Sequence, residues 1–206
     1  YINALGYAEN NEKFDEWWQN NENKIHIIGK GISRFHTLYW PAMLISAGLE
    51  LPKTIFVHGY VNVNGQKMSK SMGNVVSPFE LAQKYGSDAV RYFLLSEFPA
   101  TGDGDFTYEK FETRYNADLA NGIGNLFERV FALAISYGIK CTMDYSIDEK
   151  IKELQEKTGA IYSEKMSSFQ LYEALREVFL FAKQLDQYIN TTEPWRLIKD
   201  KNIEIE

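Results

Sequence analysis

The chain has 206 residues, a formal net charge of −6, 45% hydrophobic and 15% aromatic residues, and a single cysteine, Cys141. This composition argues against a disordered chain and against a general nucleic-acid-binding protein, so any contact with nucleic acid requires a local basic patch. One cysteine permits neither an internal disulfide nor a cysteine-based zinc site, and the sequence pattern predicts no membrane segment and no signal peptide.

The first strong pattern is a strand, a glycine turn, a helix and a second strand. The β-branched run 25–28 ends at Gly29 and predicts a buried strand, and the run 54–63 predicts the next strand. Between them a helix ending at Gly48 is predicted by apolar residues at helical spacing: Ile32, Phe35, Leu38, Tyr39, Met43 and Leu44. These elements form one βαβ unit, which is normally parallel and right-handed.

The rest of the chain changes from mixed to helical. Ser77 and Glu80 form a capping box around Pro78, and Ser87 is predicted to cap a second helix. The turn ATGDGD at 100–105 is the strongest candidate boundary. Helices are predicted at 107–137, 148–166 and 169–190, with another start near 194, and Ser167 with Gln170 predicts a capping box.

A cationic segment, NGQKMSKSMGN at 64–74, follows the second strand, and no acidic residue lies between 60 and 76. In open α/β sheets ligands bind at the carboxyl ends of strands, where this loop and Gly29 both fall. Lys67 and Lys70 are three residues apart, so a tight turn can direct both toward one polyanion, and Ser69 and Ser71 add hydroxyl donors. The alternative is a solvated surface turn; the sequence lacks a Walker loop.

The segment KMSKS at 67–71 resembles the signature loop of class I aminoacyl-tRNA synthetases. HIIGKG, RFHTLYWPAML, FVHGYVNVNGQKMSKSMGN and GSDAVRYFLL follow one another as they do in methionyl-tRNA synthetases. RYNADLANGIGNLFERV and NTTEPW resemble the anticodon-binding helices of that family, so that the resemblance covers nearly the whole chain.

The resemblance implies an α/β fold followed by an all-α fold. Residues 1–63 would be the C-terminal half of a Rossmann-type catalytic domain, 64–105 the KMSKS loop and stem-contact region, and 106–206 an incomplete helical anticodon-binding domain. The implied protein is a cytoplasmic methionine–tRNA ligase that uses ATP, with Mg²⁺ accompanying the nucleotide, to form methionyl-adenylate and charge methionine tRNA. Its contacts with the tRNA would include the anticodon loop and the acceptor stem.

The resemblance also assigns site residues. Lys67 and Lys70 would be catalytic, and the ATP-binding set would be Gly29, Val61, Lys67, Met68, Ser69, Lys70 and Ser71. Methionine would be bound by Tyr1, Ile32 and His36, and the anticodon by Asn125, Arg129 and Trp195. For the last two groups ordinary packing is the alternative: His36 as a half-buried histidine, Trp195 as a core anchor and Arg129 in a surface ion pair.

Three departures from the family pattern qualify these implications. The HIGH-type motif (His-x-Gly-His) is absent, so we expect this chain to be an inactive piece of a longer enzyme when taken alone. The zinc-bearing insertion is also absent, so no metal site is predicted. Gly31 stands where the family often has an Asp that can bind ribose, which puts that contact in doubt.

Other functions fit parts of the sequence. A catalytically dead tRNA-binding module would use only the helical half, but the intact loop and the acidic charge count against it. An unrelated nucleotidyl transferase of the same fold would not explain Asn125, Arg129 and Trp195. A purely structural domain leaves the cationic loop unexplained. The sequence preceding Tyr1 would discriminate among these alternatives.

Overall fold

The computed structural model describes residues 1–9, 12–139 and 146–196, which form two compact units. The first unit is Tyr1–Val61 with Ala100–Gly104, and the second is Asn62–Pro99 with Asp105–Glu206. Cys141 and the last ten residues of the predicted anticodon-binding domain lie outside the described residues. The predicted functional division at 63 and 105 stays a prediction.

The first unit is built around a parallel pair of strands. A 3₁₀ helix, Ile2–Leu5, and the short helix α1, Glu12–Phe14, which continues as a π-helical turn over Asp15–Gln19, precede strand β1, Ile25–Gly29. The connection to β2, Thr54–His58, contains a 3₁₀ turn Lys30–Ile32, a π-helical turn Phe35–Tyr39 and helix α2, Trp40–Ser46. Ile25 pairs with Thr54 and Gly29 with His58, so the predicted parallel strand–helix–strand arrangement is confirmed.

Burial in this unit differs from the prediction. Only Ile28 of β1 is buried, whereas Ile25 and Ile27 are 46% and 67% exposed, so the prediction of a buried strand is wrong for most of its length. The predicted apolar helix face is also exposed in large part, at Ile32, Phe35, Leu38, Tyr39 and Met43. The buried face instead carries three residues spaced four apart: His36, Trp40 and Leu44. The reason is that the aromatic side chains of α1 and its π-helical extension pack against Trp40 and Leu44.

The core of the first unit is an aromatic cluster. Phe14 and Trp18 pack with Trp40 and the fully buried Leu44. The Trp18 indole donates to the Glu50 carbonyl at 3.1 Å. Lys24 is buried beside this cluster, and its ammonium donates to the carbonyl oxygens of Trp18 at 2.6 Å and Asn21 at 2.8 Å. These bonds satisfy a buried cation without a carboxylate.

The prediction of a single strand over 54–63 is wrong, because the first strand ends at His58 and a second begins at Val61. Strand β3, Val61–Val63, belongs to a different sheet from β2. The backbone at Gly59 approaches Gly102 so closely that a Cβ at residue 59 would lie 1.9 Å from the Gly102 carbonyl oxygen. Tyr60 then donates its N–H to the Asp103 carboxylate at 2.7 Å and accepts from the Gly104 N–H at 3.0 Å. The 100–104 turn therefore takes the place of a strand partner here.

The second unit contains a small sheet and a series of helices. The sheet order is β4–β3–β5, with β4 Gln66–Lys67 antiparallel to β3, and β5 Gly104–Phe106. Helices α3, Pro78–Tyr85, and α4, Ser87–Glu97, precede β5, and α5, Tyr108–Arg114, runs through a π-helical segment, Tyr115–Gly124, into α6, Asn125–Ser136. Helices α7, Glu149–Ser167, and α8, Leu171–Thr192, follow, and residues 194–196 are helical. The predicted helices are thus confirmed to within a few residues.

The predicted cap at Ser77 is confirmed, the return bond from the Glu80 side chain stays a prediction, and the predictions at Ser87 and Ser167 are wrong. Ser77 accepts the Glu80 N–H at 3.3 Å, with Pro78 as the first helical residue. Ser87 is itself the first residue of α4, and Gly86 occupies the capping position. The Ser167 hydroxyl donates to carbonyl oxygens in the last turn of α7. It therefore belongs to the end of α7 and does not cap α8, whose capping position is Gln170.

Aromatic packing forms the core of the second unit. Phe93 of α4 lies 5.1 Å from Phe111 of α5 and 5.5 Å from Phe106 of β5, measured between ring centroids. Helix α8 packs on α7 and on α4, where Tyr92 and Phe179 meet at 4.9 Å. No helix in the described part of the chain has the length and apolarity needed to cross a membrane.

The Gly59 contact leads to a stability prediction. Gly59→Ala should lower the free energy of unfolding by about 1–3 kcal/mol, because its methyl group would collide with the Gly102 carbonyl. Gly159→Ala is the matched control: its Cβ would meet nothing within 4 Å in α7, so alanine there should stabilise by about 0.5–1 kcal/mol. Denaturant unfolding measures both, and a Gly59→Ala variant as stable as the parent protein would contradict the close approach.

Candidate nucleotide, methionine and anticodon sites

The first half of the cationic segment is an ordered hairpin. Asn64 and Gly65 have φ angles of 52° and 73°, as a two-residue type I′ turn requires, and they connect β3 to β4. The Gly65 N–H donates to the Asp105 carboxylate at 2.6 Å. The Asn-Gly pair is typical of such a hairpin, which is not among the elements predicted from the sequence, because 64–74 is predicted as a single loop. Lys67 therefore stands at the end of a paired strand.

The second half is a short capped turn. Ser69 is the capping residue of a 3₁₀ helix, Lys70–Met72, and its hydroxyl accepts the Met72 N–H at 3.2 Å. The Ser69 and Ser71 hydroxyl oxygens lie 3.1 Å apart. Gly73 ends the turn with a φ of 67°. Four of the five predicted nucleotide-binding residues of this segment, Lys67, Ser69, Lys70 and Ser71, are thus held in or beside regular structure.

Asn74 is a residue of this loop that the sequence analysis missed. Its Oδ1 accepts the Ser69 N–H at 2.9 Å, and its Nδ2 donates to the Lys67 carbonyl at 3.2 Å. The signal available was the Gly-Asn pair after KMSKS, which is typical of turns but does not reveal which backbone groups the side chain binds.

The two lysines of the loop are exposed, while Met68 and Ser69 are half-buried. The Lys70 ammonium has no hydrogen-bond or ion-pair partner among residues 1–9, 12–139 and 146–196. Such an exposed ammonium group can bind a phosphate without first breaking an ion pair with a carboxylate. The loop can therefore serve a polyanionic ligand chemically.

The three residues predicted to bind methionine lie together in the first unit. His36 is buried, and its Nδ1 lies 2.9 Å from the Ile32 carbonyl oxygen while its Nε2 lies 2.8 Å from the Tyr1 hydroxyl. A carbonyl oxygen only accepts, so in a neutral imidazole Nδ1 carries the proton and Nε2 accepts from Tyr1. Tyr1 and Ile32 are more than half exposed. The group therefore combines a fixed imidazole with accessible aromatic and aliphatic surface.

His26 belongs to the same cluster and was missed from the sequence. The Tyr1 ring stacks on the His26 ring at 4.8 Å, and the Trp40 indole donates to His26 Nε2 at 3.1 Å. Burial lowers the pKa of His26, and the neighbouring His36 lowers it further. The indole donor requires a lone pair on Nε2, so the geometry also favours the neutral ring. No spacing signal joins a strand residue to a helix residue in this way.

The predicted nucleotide-contacting residues of the first unit occupy strand ends. Gly29 ends β1, where a Cβ would touch the His58 ring at 3.6 Å, and Val61 begins β3. A Cβ at Gly31 would lie 2.7 Å from the Tyr60 hydroxyl oxygen. An aspartate at position 31 would therefore require Tyr60 to move. Gly31 itself offers no side chain for a ribose contact.

The anticodon candidates lie in the second unit, and Arg129 is already engaged. Asn125 and Arg129 are one turn apart on α6; Arg129 donates from Nη1 to Asp186 at 2.5 Å and from Nη2 to Asn190 at 2.7 Å. Trp195 is half-buried in the helical residues 194–196. A cavity of about 400 Å³ adjoins Asn125, with polar and charged lining residues Asp118, Asn121, Asn125, Arg176, Lys183 and Asp186.

Comparison with known proteins defines the class first. Residues 1–131 match the family model described as class I tRNA synthetases (M). The chain belongs to this family of class I tRNA synthetases. Within the class, the similarity is to enzymes specific for methionine. The chain is 43% identical over 208 residues to the methionine–tRNA ligase of Thermotoga maritima, covering 99% of this chain and 33% of that protein.

Two further comparisons agree. The methionine–tRNA ligase of Caldanaerobacter subterraneus is 44% identical over 207 residues, covering 98% of this chain and 32% of that protein. The methionyl-tRNA synthetase of Mycobacterium tuberculosis, in a crystal structure bound by methionyl-adenylate, superimposes with a TM-score of 0.84 at 35% identity, over 96% of this chain and 39% of that chain. The chain thus spans about a third of the length of the curated relatives it matches.

No group of three or more His, Cys, Asp or Glu residues that could hold a metal ion occurs within residues 1–9, 12–139 and 146–196. The absence of a metal site from the whole chain stays a prediction.

The His26 environment predicts a pH dependence. Because the folded-state pKa of His26 is below its usual value of 6.5, the unfolded chain binds the proton more readily, and stability should fall as the pH drops below about 6.5. His26→Gln keeps an acceptor for the Trp40 indole and removes the titration, so it should flatten this part of the stability profile. Thermal unfolding across that pH range measures the effect, and equal slopes for variant and parent would contradict it.

Proposed function

We propose that the chain acts as part of a methionine–tRNA ligase, in which it supplies the KMSKS side of the ATP site, a wall of the methionine pocket and the first helices of the anticodon-binding domain. The observation that carries this proposal is the loop at 67–74, where a hairpin and a capped turn present two exposed lysines. Family membership and the similarity to methionine–tRNA ligases over nearly the whole chain support it.

In the proposed reaction the methionine carboxylate attacks the α-phosphorus of ATP, which enters with Mg²⁺ as the substrate complex. A carboxylate oxygen forms the new bond to phosphorus, and the bond from the α-phosphorus to the bridging oxygen breaks, releasing pyrophosphate. Negative charge moves onto the departing group as this bond lengthens. The Lys67 and Lys70 ammonium groups stabilise that charge, so their contribution is greatest in the transition state.

The methionine pocket would use the Tyr1–His36–Ile32 cluster. His36 has both ring nitrogens engaged, one by the Ile32 carbonyl and one by the Tyr1 hydroxyl, so its ring presents a fixed, weakly polar surface. Such a surface, beside the accessible side chains of Ile32 and Tyr1, suits an apolar and polarisable thioether. Gly29 and Val61 would contribute backbone contacts to the ribose and adenine.

A hydroxyl at the 3′ end of methionine tRNA then attacks the carbonyl carbon of methionyl-adenylate in the cytoplasm, which forms the aminoacyl ester and breaks the bond to the phosphate, so that AMP leaves. In the proposed division, residues 64–105 contact the acceptor stem and 106–206 the anticodon loop. Asn125 offers a donor and an acceptor to a base edge, Arg129 offers a planar fork, and Trp195 offers a stacking surface for an unpaired base.

Lys70→Ala tests the catalytic role of the loop. In the full-length enzyme this change should slow methionine-dependent ATP–pyrophosphate exchange by about 10²–10³-fold, because a cation is lost where charge develops. The KM for methionine should change little. Lys157→Ala, at an exposed position on α7, is the matched control and should leave exchange unaltered. Normal exchange by the Lys70 variant would refute the catalytic assignment of Lys70, whereas the absence of exchange from the parent enzyme would favour a tRNA-binding module without catalysis.

Trp195→Ala tests the anticodon site. Loss of one stacked base costs about 1–3 kcal/mol, so aminoacylation of methionine tRNA should fall by about one to two orders of magnitude while pyrophosphate exchange without tRNA is retained. Trp17→Ala, at an exposed tryptophan of the first unit, is the control. If exchange and aminoacylation fall together in the Trp195 variant, Trp195 is a packing residue.

A further inference from the structure

We propose that Asn74 is a positioning residue for adenylate formation, because its carboxamide fixes the place of Lys70 relative to Lys67. This inference rests on the proposed function of the KMSKS loop. The observation behind it is that one side chain binds two backbone groups of the same short segment: the Lys67 carbonyl at 3.2 Å and the Ser69 N–H at 2.9 Å.

These two bonds span the junction between two regular elements. Strand β4 ends at Lys67, and the 3₁₀ turn begins at Lys70. Met68 and Ser69 between them belong to neither element, so their backbone dihedrals decide where the second lysine stands. The Asn74 side chain bridges this junction by binding the Lys67 carbonyl and the Ser69 N–H. The bond from the Met72 N–H to the Ser69 hydroxyl then fixes the turn that carries Lys70.

The chemistry of the joint requires an asparagine. The Lys67 carbonyl needs a donor and the Ser69 N–H needs an acceptor, and a carboxamide offers both in one plane. An ionised aspartate keeps the acceptor but has no donor, and it would place a negative oxygen against the Lys67 carbonyl. Alanine provides neither group. Asn74 is half-buried, so its bonds are partly shielded from competing water.

A loosened joint should affect catalysis more than folding. The pairing of β3 with β4, the Ser77 cap and the core of the second unit are formed by other groups, and the Asn74 side chain contacts the hairpin at the Lys67 carbonyl, at the end of β4. Without it the turn would sample several placements of Lys70, and only some of them would meet the leaving pyrophosphate. Misplacement of a catalytic group by about 1 Å can cost up to about 10²-fold in rate.

The test uses the full-length enzyme and three variants. Asn74→Ala and Asn74→Asp should each lower kcat of ATP–pyrophosphate exchange by about 10–10²-fold, with the KM for methionine and the melting temperature close to those of the parent enzyme. The matched control is Asn23→Asp, which makes the same chemical change at an exposed position of the first unit, where the side-chain oxygen only accepts from the Lys53 ammonium and aspartate keeps that acceptor. The Asn23 variant should retain parental kcat.

A double-mutant cycle separates positioning from general damage. If Asn74 acts through Lys70, adding Asn74→Ala to a Lys70→Ala enzyme should cost less than about threefold, because no cation remains to be placed. An equal cost in both backgrounds, a loss of kcat that parallels a loss of melting temperature, or parental kcat in both Asn74 variants would each overturn the proposal. If Asn74→Ala does not fold, the Asn74→Asp variant decides.

Failure of the two proposals can be told apart. Where Lys70→Ala slows exchange and the Asn74 variants do not, the function of the loop stands and the positioning role is wrong. Where Lys70→Ala itself leaves exchange unchanged, the proposed catalytic role of the KMSKS loop fails and the role of Asn74 fails with it, and where the parent enzyme shows no exchange, the proposed ligase function fails.

Discussion

The backbone contact between Gly59 and Gly102 is the constraint on which the nucleotide half of the molecule depends. It ends β2 at His58 and releases Val61 to start a strand in a different sheet, with Asp103 and Gly104 taking up the Tyr60 backbone groups. Only because β3 is a separate strand can it turn at Asn64–Gly65 and pair with β4. The position of Lys67, and of every loop residue after it, follows from a contact that admits no side chain at residue 59.

Charge pairing explains how an acidic chain keeps a cationic loop available. Acids around the 100–105 turn and α5 are matched by nearby cations: Asp103 by Lys30, and Glu97 by Arg114 at 3.1 Å and by Lys110 at 3.7 Å. Exposed pairs of this kind add little stability individually. Their effect here is to occupy carboxylates, and in the described ranges none of them reaches Lys70. The absence of acidic residues between 60 and 76 also keeps carboxylates of neighbouring residues away from the loop lysines.

Features set by near neighbours in the sequence could be predicted, and features set by distant contacts could not. The long helices and the Ser77 cap follow from local periodicity and capping residues, and the parallel pairing of β1 with β2 follows from the general rule for strand–helix–strand connections. The end of β2 at His58 depends on the contact of Gly59 with Gly102, 43 positions further along the chain. The buried face of the helix and the Tyr1–His36 bond likewise depend on residues far apart in the sequence. The Trp40–His26 bond joins different elements in the same way. Asn74 lies between these cases, because a turn was visible but the partners of its carboxamide were not.

The ion pair of Arg129 does not conflict with an RNA-binding role, for energetic reasons. Its guanidinium and the Asp186 carboxylate are both about one-third exposed, at 33% and 38% of their side chains, and a pair of that kind contributes only about 0–1 kcal/mol. A base stacked on an aromatic ring contributes about 1–3 kcal/mol. The free energy of stacking a base on Trp195 could therefore offset the loss of the Arg129–Asp186 ion pair when an RNA group replaces Asp186 as the acceptor. Asp186 and Asn190 hold the guanidinium in one orientation, which would lower the entropy lost if its fork bound a base or a phosphate as proposed.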